Sequence, residues 1–258
     1  MARMKLRVLG VHNMESEATR FAGYLIDDVL ALDAGSISRS LTFEEQRRIG
    51  AVLITHEHND HVRDLPSLRQ SLAAAGASFD VYGLSETLQS IAGRYFPCAG
   101  RAGATGDGPT PRPVSEGETF PIGRHSVRAF RMRHTVPCAG YWVSDGSARL
   151  FYTGDTGPGL RDVWSQIEPD ALLTEVTYGN DNQEAAVRLG HLTPRLLEAE
   201  LTEFRQARGY LPRVIVTHMN PPWEAAVRRE IASMAAGLGT EVMVANAGET
   251  LEIRPVGA

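Results

Sequence analysis

The chain has 258 residues, of which 43% are hydrophobic and 22% charged, so it is long enough to bury the apolar layers of a globular domain. No stretch approaches the ~20 consecutive apolar residues of a membrane span, and the first residues show no apolar signal segment. The net charge of −5 argues against a protein built mainly to bind a long phosphate backbone. We therefore expect a cytoplasmic protein of one domain, residues 1–258, without a membrane or a large nucleic acid as partner.

The first half of the chain mixes strand-like and helix-like patterns. Short apolar runs bounded by turn residues predict strands at residues 6–11, 22–26, 29–32, 51–55 and 79–82. Periodic patterns predict helices at residues 38–49, 64–75 and 85–95. Thr42 is the expected N-cap in the first helical segment, because Glu44 and Glu45 follow it as a first turn. Residues 97–113 are rich in Gly, Pro and Ala, which predicts a loop.

The second half begins with strands and then alternates between helices and strands. Strands are predicted at residues 126–133, 139–143 and 149–153, with Asp145-Gly146 as a hairpin turn between the last two. Helices at residues 160–167, 194–207 and 223–238 then alternate with strands at residues 171–176, 214–217 and 241–245. No linker or repeat divides the chain. These patterns predict an α/β protein in which helices cover two sheets, a four-layer αββα sandwich.

The sequence His56-Glu57-His58-Asn59-Asp60-His61 directly follows the apolar strand predicted at residues 51–55. Alternation along an extended chain places His56 and His58 on one side, and the chain then leaves the strand, so that Asp60 and His61 can face a second ion. Imidazole nitrogens suit zinc, iron and manganese, and a carboxylate lets a site accept harder ions. The alternative is a polar surface loop, but four metal-competent side chains within six residues favour a metal site.

Three further polar residues follow strand-like runs elsewhere in the chain. His134 follows residues 126–133, Asp155 follows the run that ends at Gly154, and His218 follows the predicted strand at residues 214–217. A residue at the end of a strand is often an ordinary surface residue, and His125 is predicted to be one. In combination with the histidine cluster, the first three become candidate metal ligands.

These ordered motifs resemble those of the metallo-β-lactamase superfamily over essentially the whole chain. The resemblance implies the αββα sandwich and two divalent transition-metal ions, zinc in the first place, with manganese or iron as alternatives. It also implies that one ion is held by His56, His58 and His134, the other by Asp60, His61 and His218, and that Asp155 bridges them. The bridging aspartate resembles the oxygen-rich dinuclear hydrolases of the superfamily.

Two later segments resemble the phosphodiesterase branch of the superfamily, namely the class II cyclic-nucleotide phosphodiesterases and ribonuclease Z. They are Thr174-Glu175-Val176-Thr177-Tyr178 and Gly190-His191-Leu192-Thr193-Pro194. The resemblance implies that Glu175 orients His191, which protonates the leaving oxygen, as general acid catalysis of this reaction requires. Alternatively, His191 only packs at the start of a helix that has Thr193 as its N-cap and Pro194 at its first position. Asn59 and residues 62–65 depart from the usual class II sequence.

The sequence therefore predicts a dinuclear metal-dependent phosphodiesterase that hydrolyses 3′,5′-cyclic nucleotides to nucleoside monophosphates. Asp60, His191 and Glu175 are the expected catalytic residues, with Asp60 orienting the attacking water while it also binds metal. The segment between His134 and Asp155 is too short for a tRNA-gripping arm, which disfavours the first alternative, a ribonuclease Z-like RNA-processing endonuclease. The second alternative is a binding protein that retains its metals without catalysis. Similar enzymes are often homodimers, and Cys98 and Cys138 are expected to be buried thiols rather than a disulfide.

Overall fold

Two seven-stranded sheets form the centre of the molecule in a computed structural model that describes residues 4–95 and 109–256. The first sheet begins with β1 (Met4–Gly10), β2 (Gly23–Ile26), β3 (Leu30–Leu32), β4 (Ala51–Leu53), β5 (Asp80–Leu84) and β6 (Thr110–Val114). The second contains β7 (Thr119–Ile122), β8 (His125–Met132), β9 (Cys138–Ser144), β10 (Arg149–Tyr152), β11 (Ala171–Glu175), β12 (Arg213–Thr217) and β13 (Val242–Val244). The last strand, β14 (Thr250–Ile253), returns to the first sheet and pairs with β1.

Helices lie on the outer faces of both sheets. Those of the first half are α1 (Ile37–Ser40), α2 (Phe43–Gln46), α3 (Asn59–Val62), α4 (Leu65–Ala73) and α5 (Ser85–Tyr95). Those of the second half are α6 (Arg161–Trp164), α7 (Gln183–Leu189), α8 (Pro194–Arg208) and α9 (Glu224–Leu238), with short 3-10 turns at Asn180–Asn182 and Pro221–Trp223. No helix in the described part of the chain is both long enough and apolar enough to cross a bilayer.

Two apolar clusters explain why the layers stay together. In the smaller cluster, residues of α4 and α5 such as Leu68 and Ile91 pack on Val52 of the first sheet. The larger cluster fills the space between the sheets and extends to α8, where Leu201 and Phe204 are buried. Burial of apolar surface on both faces of each sheet is the main stabilising contribution in such a layered fold. The predicted α/β class and αββα sandwich are confirmed.

The strand directions bring several loops to one edge of the sandwich. β3, β4 and β5 run parallel in the first sheet, and β10, β11 and β12 run parallel in the second. Hydrogen bonds join the two sheets near this edge: the Tyr141 hydroxyl donates to the Ile54 carbonyl at 2.7 Å, and the Ala139 amide donates to the Thr55 carbonyl at 2.9 Å. Residues that follow these strands therefore meet in one cleft between the sheets.

Thr42 and Glu45 divide the helix that was predicted at residues 38–49. Thr42 has extended backbone, its side chain accepts from the Glu45 amide, and the Glu45 carboxylate accepts from the Thr42 amide. This capping box starts a new helix, so that α1 and α2 are separate. The N-cap prediction for Thr42 is confirmed, and the single continuous helix was wrong because an N-cap residue cannot itself be helical.

Other local predictions are corrected at the sheet edges. Residues 97–108 of the predicted loop lie outside the described residues, but Thr110–Val114 forms the edge strand β6 instead of a loop. Pro111 and Pro113 are tolerated there because both lie on the side of β6 where the described residues include no neighbouring strand to accept a hydrogen bond.

Two side chains outside the metal motifs also bear on the predictions. His125 was predicted to be a surface residue, but it is buried, and its Nε2 lies 2.8 Å from the Asp27 carboxylate, which satisfies this nitrogen inside the protein. Cys138 is buried as a free thiol, as predicted, and Cys98 lies outside the described residues.

Candidate metal centre

The histidine motif lies where β4 leaves the first sheet. β4 ends at Leu53, and His56 follows it in a loop, fully buried. His58 is the N-cap of α3, and this short helix contains both Asp60 and His61. The helical turn thus places Asp60 and His61 beside His56 and His58 rather than in line with them, and the His56 and His61 ring centroids lie 4.1 Å apart.

The remaining predicted ligands come from three strands of the second sheet. His134 follows β8, Asp155 follows β10 and His218 follows β12, the last with a positive φ of 57°. Gly154 has a φ of +60°, and a Cβ atom at this position would lie 2.7 Å from the Thr55 side chain. Only glycine therefore allows the loop that carries Asp155 to pack this closely on the loop that carries His56.

The seven predicted ligand residues converge as two adjoining groups of donor atoms. His56, His58, His134 and Asp155 place one ligand atom each within 4.8 Å of one another, and so do Asp60, His61 and His218. Within the first group, His58 Nδ1 lies 3.0 Å from His56 Nε2 and 3.2 Å from His134 Nε2. Within the second group, His218 Nε2 lies 3.1 Å from both His61 Nε2 and Asp60 Oδ2.

Asp155 stands between the two groups with one oxygen toward each. Its Oδ2 lies 3.7 Å from His56 Nε2 and 3.9 Å from His134 Nε2. Its Oδ1 lies 3.4 Å from both His61 Nε2 and His218 Nε2. This oxygen is buried and has no hydrogen-bond partner in the described part of the chain. A buried carboxylate oxygen without a partner is costly unless something else, such as a cation, satisfies it.

The outward-facing nitrogens of three of the histidines are already occupied by hydrogen bonds. His61 Nδ1 bonds to Asp33, His134 Nδ1 to the Gly190 carbonyl and His218 Nδ1 to the Thr177 hydroxyl, at 2.7, 2.9 and 2.9 Å. When the outer nitrogen donates its proton in this way, the inner nitrogen keeps a free lone pair for a metal. The donor set therefore fits two divalent ions, because imidazole nitrogens and carboxylate oxygens suit first-row metals such as zinc, manganese and iron.

Electrostatics favour the ligand-competent protonation states in the first group and at the bridge. Burial, together with the neighbouring imidazoles, lowers the pKa of His56 well below its ordinary value and also lowers the pKa of His58 and His134. Burial alone would raise the pKa of Asp155, but His218 and His61 hold it well below its usual range. Neutral imidazoles and an ionised carboxylate are the forms that bind metals.

Asp33 is a buried residue that the sequence reasoning missed. It follows β3 with a positive φ of 56°, and it accepts hydrogen bonds from His61 Nδ1 at 2.7 Å, the Thr55 amide at 2.8 Å and the Tyr152 hydroxyl at 2.7 Å. Its carboxylate therefore fixes the tautomer and the orientation of His61. The signal that could have found Asp33 is its place directly after an apolar strand, the same signal that singled out Asp155.

Glu175 and His191 form a hydrogen-bonded pair beside the two groups. Glu175 ends β11, and its Oε1 lies 2.7 Å from His191 Nδ1. Thr156 and Thr177 donate their amides to the same carboxylate, each at 3.0 Å. His191 follows Gly190, whose left-handed conformation ends α7, and a Cβ atom on Gly190 would lie 2.9 Å from His134 Cα.

The position of His191 leaves one of its nitrogens available. His191 Nδ1 lies 3.9 Å from Asp155 Oδ2, and no described residue bonds to its Nε2. Burial lowers the pKa of His191, but the Glu175 carboxylate outweighs this effect and raises the pKa to about 9. Asp155, His191 and His218 also form a third group that could hold an ion, so His191 is close enough to contact a metal-bound substrate.

Residues 23–219 match the family model described as the β-lactamase superfamily domain. The probable metallo-hydrolase YhfI of Bacillus subtilis is 22% identical over 230 residues, which cover 84% of this chain and 87% of that protein. The crystal structure of YhfI superposes with a TM-score of 0.81, over 97% of this chain and all of that chain.

Two further similar proteins are a yeast protein of known structure and an archaeal ribonuclease. The structure of unliganded yeast PDE1 superposes with a TM-score of 0.84 at 16% identity, over 98% of this chain and all of that chain, a likeness that concerns the fold alone. Ribonuclease Z of Halobacterium salinarum is 33% identical over 104 residues, which cover 40% of this chain and 32% of that protein.

Proposed function

This chain belongs to the metallo-β-lactamase superfamily, and from that premise we propose that it is a dinuclear phosphodiesterase that hydrolyses 3′,5′-cyclic nucleotides to nucleoside monophosphates. Membership confirms the predicted superfamily and the prediction of a metal-dependent hydrolase. The choice of substrate rests on the chemistry of the cleft. The observation that carries it is the pair of Glu175 and His191 beside the two groups of ligand atoms.

Each side chain of the cleft has a distinct part in holding the ions, and the proposed set is the one predicted from the sequence. His56, His58 and His134 would hold one divalent ion, Asp60, His61 and His218 would hold the other, and Asp155 lies between the two groups as a ligand available to both. Zinc is the proposed metal, since five imidazoles dominate the donor set. The chemistry that such a pair supplies is the acidification of a water and the neutralisation of phosphoryl oxygens.

The protein's own groups supply the proton transfers. Asp60, the most exposed of the predicted carboxylate ligands with a side chain 17% exposed, accepts a hydrogen bond from the attacking water and orients it toward phosphorus. His191 donates the proton on Nε2 to the departing ester oxygen, and Glu175 keeps Nδ1 protonated and supports the cationic ring. A thioester has less need of such a donor, because a thiolate is a better leaving group than an alkoxide.

The surroundings of the cleft favour a small substrate. Between His134 and Asp155 the chain consists of β9, a tight turn in which Asp145 accepts from the Ala148 amide, and β10. No arm that could grip a large RNA is present in this segment. The net charge of −5 also gives little attraction for a long polyanion.

A hydrolysis panel tests the proposal. One metal-loaded preparation is offered cyclic AMP, cyclic GMP, bis(p-nitrophenyl) phosphate, pre-tRNA, a thioester and a β-lactam. We expect ring opening of at least one cyclic nucleotide and cleavage of bis(p-nitrophenyl) phosphate. Turnover of the thioester or the β-lactam without any phosphodiester cleavage would refute the assignment.

A ribonuclease Z-like RNA-processing activity is the second candidate. It is favoured by the similarity to ribonuclease Z of Halobacterium salinarum over 40% of this chain. The same panel separates the two candidates, because an RNA-processing enzyme would cleave pre-tRNA and leave both cyclic nucleotides intact.

A further inference from the structure

A row of aromatic rings leads outward from the second group of ligand atoms. The rings of His218 and His191 are nearly parallel at 20°, with centroids 5.8 Å apart. The ring of Tyr178 follows at 5.6 Å from His191, and the ring of Trp223 at 4.8 Å from Tyr178. Tyr178 and Trp223 are only half-buried, so part of each ring surface remains open to a ligand.

Backbone hydrogen bonds hold these two rings in place beside His191. The Tyr178 amide donates to the Leu192 carbonyl at 3.3 Å, directly after His191 in the chain. The Trp223 amide donates to the Asn220 carbonyl at 2.9 Å, and the Asn220 amide donates to the Thr177 carbonyl at 3.2 Å. The backbone that carries both rings is therefore tied to the segment of His191 and to the 3-10 turn Pro221–Trp223.

Asn220 adds an unused polar group to the same wall. Its side-chain oxygen is buried and has no hydrogen-bond partner within the described residues. An asparagine amide offers both a donor and an acceptor, the combination that reads the edge of a nucleobase. Two aromatic rings near an amide oxygen without a partner are thus a suitable environment for a flat, hydrogen-bonding group.

We propose that Tyr178, Trp223 and Asn220 form the subsite that binds the nucleobase of the substrate. This inference rests on the proposed phosphodiesterase function, because His191 protonates the leaving oxygen and the group attached to that oxygen must then lie on the side of His191. In a 3′,5′-cyclic nucleotide the leaving oxygen and the base belong to the same ribose. Aromatic side chains stack on any base, whereas Asn220 distinguishes bases by their edges.

The first experiment measures binding without turnover. Tryptophan fluorescence of the metal-loaded protein is titrated with adenosine 5′-monophosphate and, separately, with ribose 5-phosphate, which has no base. We expect saturable quenching by the nucleotide only. Trp223→Phe should abolish the quenching, and the matched control Trp142→Phe, which changes a tryptophan on β9, should retain it. Equal responses to both ligands, or quenching that survives Trp223→Phe, would overturn the subsite.

The second experiment measures selectivity. The ratio of kcat/KM for cyclic AMP to that for the corresponding cyclic ribose phosphate without a base is compared between wild type and variants. Loss of one stacking contact should lower this ratio about 5- to 150-fold in Trp223→Ala or Tyr178→Ala. Tyr178→Phe keeps the ring and should keep the ratio.

The two proposals fail in different ways. If Trp223→Ala slows both substrates equally, the rings have only a structural role, and the phosphodiesterase assignment stands without the subsite. If no phosphodiester is cleaved, the assignment fails, but the fluorescence titration still decides whether a base binds beside Trp223.

Discussion

His191 should reveal its role through the leaving group of the substrate. We expect His191→Ala to lose roughly 10²–10⁴-fold in rate on alkyl phosphodiesters, the usual contribution of acid–base catalysis. A p-nitrophenolate departs without protonation, so the loss on bis(p-nitrophenyl) phosphate should be much smaller. The measurement is kcat/KM on both substrates, together with the metal content of the variant.

Glu175→Gln provides a graded comparison for this prediction. Glutamine preserves an oxygen that can accept from His191 Nδ1, but it removes the charge that raises the pKa of His191. An intermediate loss with the same dependence on the leaving group is expected. Equal losses on both substrates in His191→Ala would assign His191 a different task, such as metal binding.

Asp155 should govern the occupancy of both metal positions. We expect close to two transition-metal ions per chain in the wild type, measured by elemental analysis after dialysis. His58→Ala removes a ligand of one group and should lower the metal content. Asp155→Ala removes the carboxylate that faces both groups, so Asp155→Ala should lower the metal content further and abolish turnover.

The matched control for this experiment is His125→Asn, since His125 is buried but belongs to neither group of ligand atoms. The control should retain its metals. Full occupancy in Asp155→Ala would remove the proposed bridge.

At the residue scale, spacing along the sequence singled out the side chains that the structure brings together. The four residues of the motif lie within six positions of one another, so the sequence alone identified them as a cluster of potential metal ligands: His56, His58, Asp60 and His61. Asp33 was not found, although it directly follows an apolar strand, because its partners His61 and Tyr152 lie 28 and 119 residues away and no local motif connects it to them. Its left-handed backbone likewise results from tertiary contacts rather than from local preference.

At the element scale, long amphipathic segments were predictable and short edge elements were not. The helix at Ser85–Tyr95 was predicted with its observed bounds, because its apolar face is regular. The edge strand Thr110–Val114 was predicted as a loop, since its prolines normally interrupt a sheet. The strand Thr250–Ile253 was missed, because its pairing with β1 joins the two ends of the chain and leaves no local signature.

The turn between β2 and β3 links the two sheets through Asp27. Asp27 and Asp28 both have positive φ, and the Val29 amide donates to the Ile26 carbonyl at 3.1 Å, as in a type I′ hairpin turn. The Asp27 carboxylate accepts a hydrogen bond from His125, the first residue of β8, and pairs with Arg124, which directly precedes β8. Burial alone would raise the pKa of Asp27, but these two partners lower it to about 2.

Asp27→Asn should therefore destabilise the protein in a pH-dependent way. Asparagine tolerates the left-handed backbone, so mainly the charge is lost. The folded-state pKa, about 2, lies below the ordinary value of 3.8, so the stabilisation is complete above that value and disappears as the pH falls from about 4 to about 2. With screening by solvent we expect a difference of ~1 kcal/mol at pH 6.

Urea unfolding at pH 6 and at pH 3 measures this difference. The control is Glu44→Gln, whose side chain is 76% exposed and should have little effect at either pH. A difference between Asp27→Asn and wild type that grows as the pH falls would contradict the sign of this prediction.

At the scale of the whole molecule, the candidate site exists only because two sheets meet. The first sheet supplies the loop from His56 to His61, and the second supplies Glu175 at the end of β11 and the residues that follow β8, β10 and β12. Hydrogen bonds such as that between the Tyr24 and Thr217 hydroxyls, at 2.6 Å, fix the sheets against each other beside His218. The order of the strands follows from long-range pairing, so the sequence predicted the layers and not this order. That residues 1–258 fold as one domain stays a prediction.

The salt dependence of activity tests whether the whole molecule is suited to a small substrate or to a long RNA. An enzyme that grips a long RNA neutralises many phosphates, and contacts to six to ten of them make affinity fall about 10³–10⁵-fold between 50 and 200 mM salt. This acidic chain, with a tight turn between β9 and β10, should instead hydrolyse a cyclic nucleotide with a KM that changes no more than about threefold over that range. The same metal-loaded preparation is assayed on cyclic AMP, cyclic GMP and pre-tRNA at both salt concentrations. Salt-sensitive 3′ cleavage of pre-tRNA without ring opening of either cyclic nucleotide would reverse the choice of substrate and leave the dinuclear hydrolase in place.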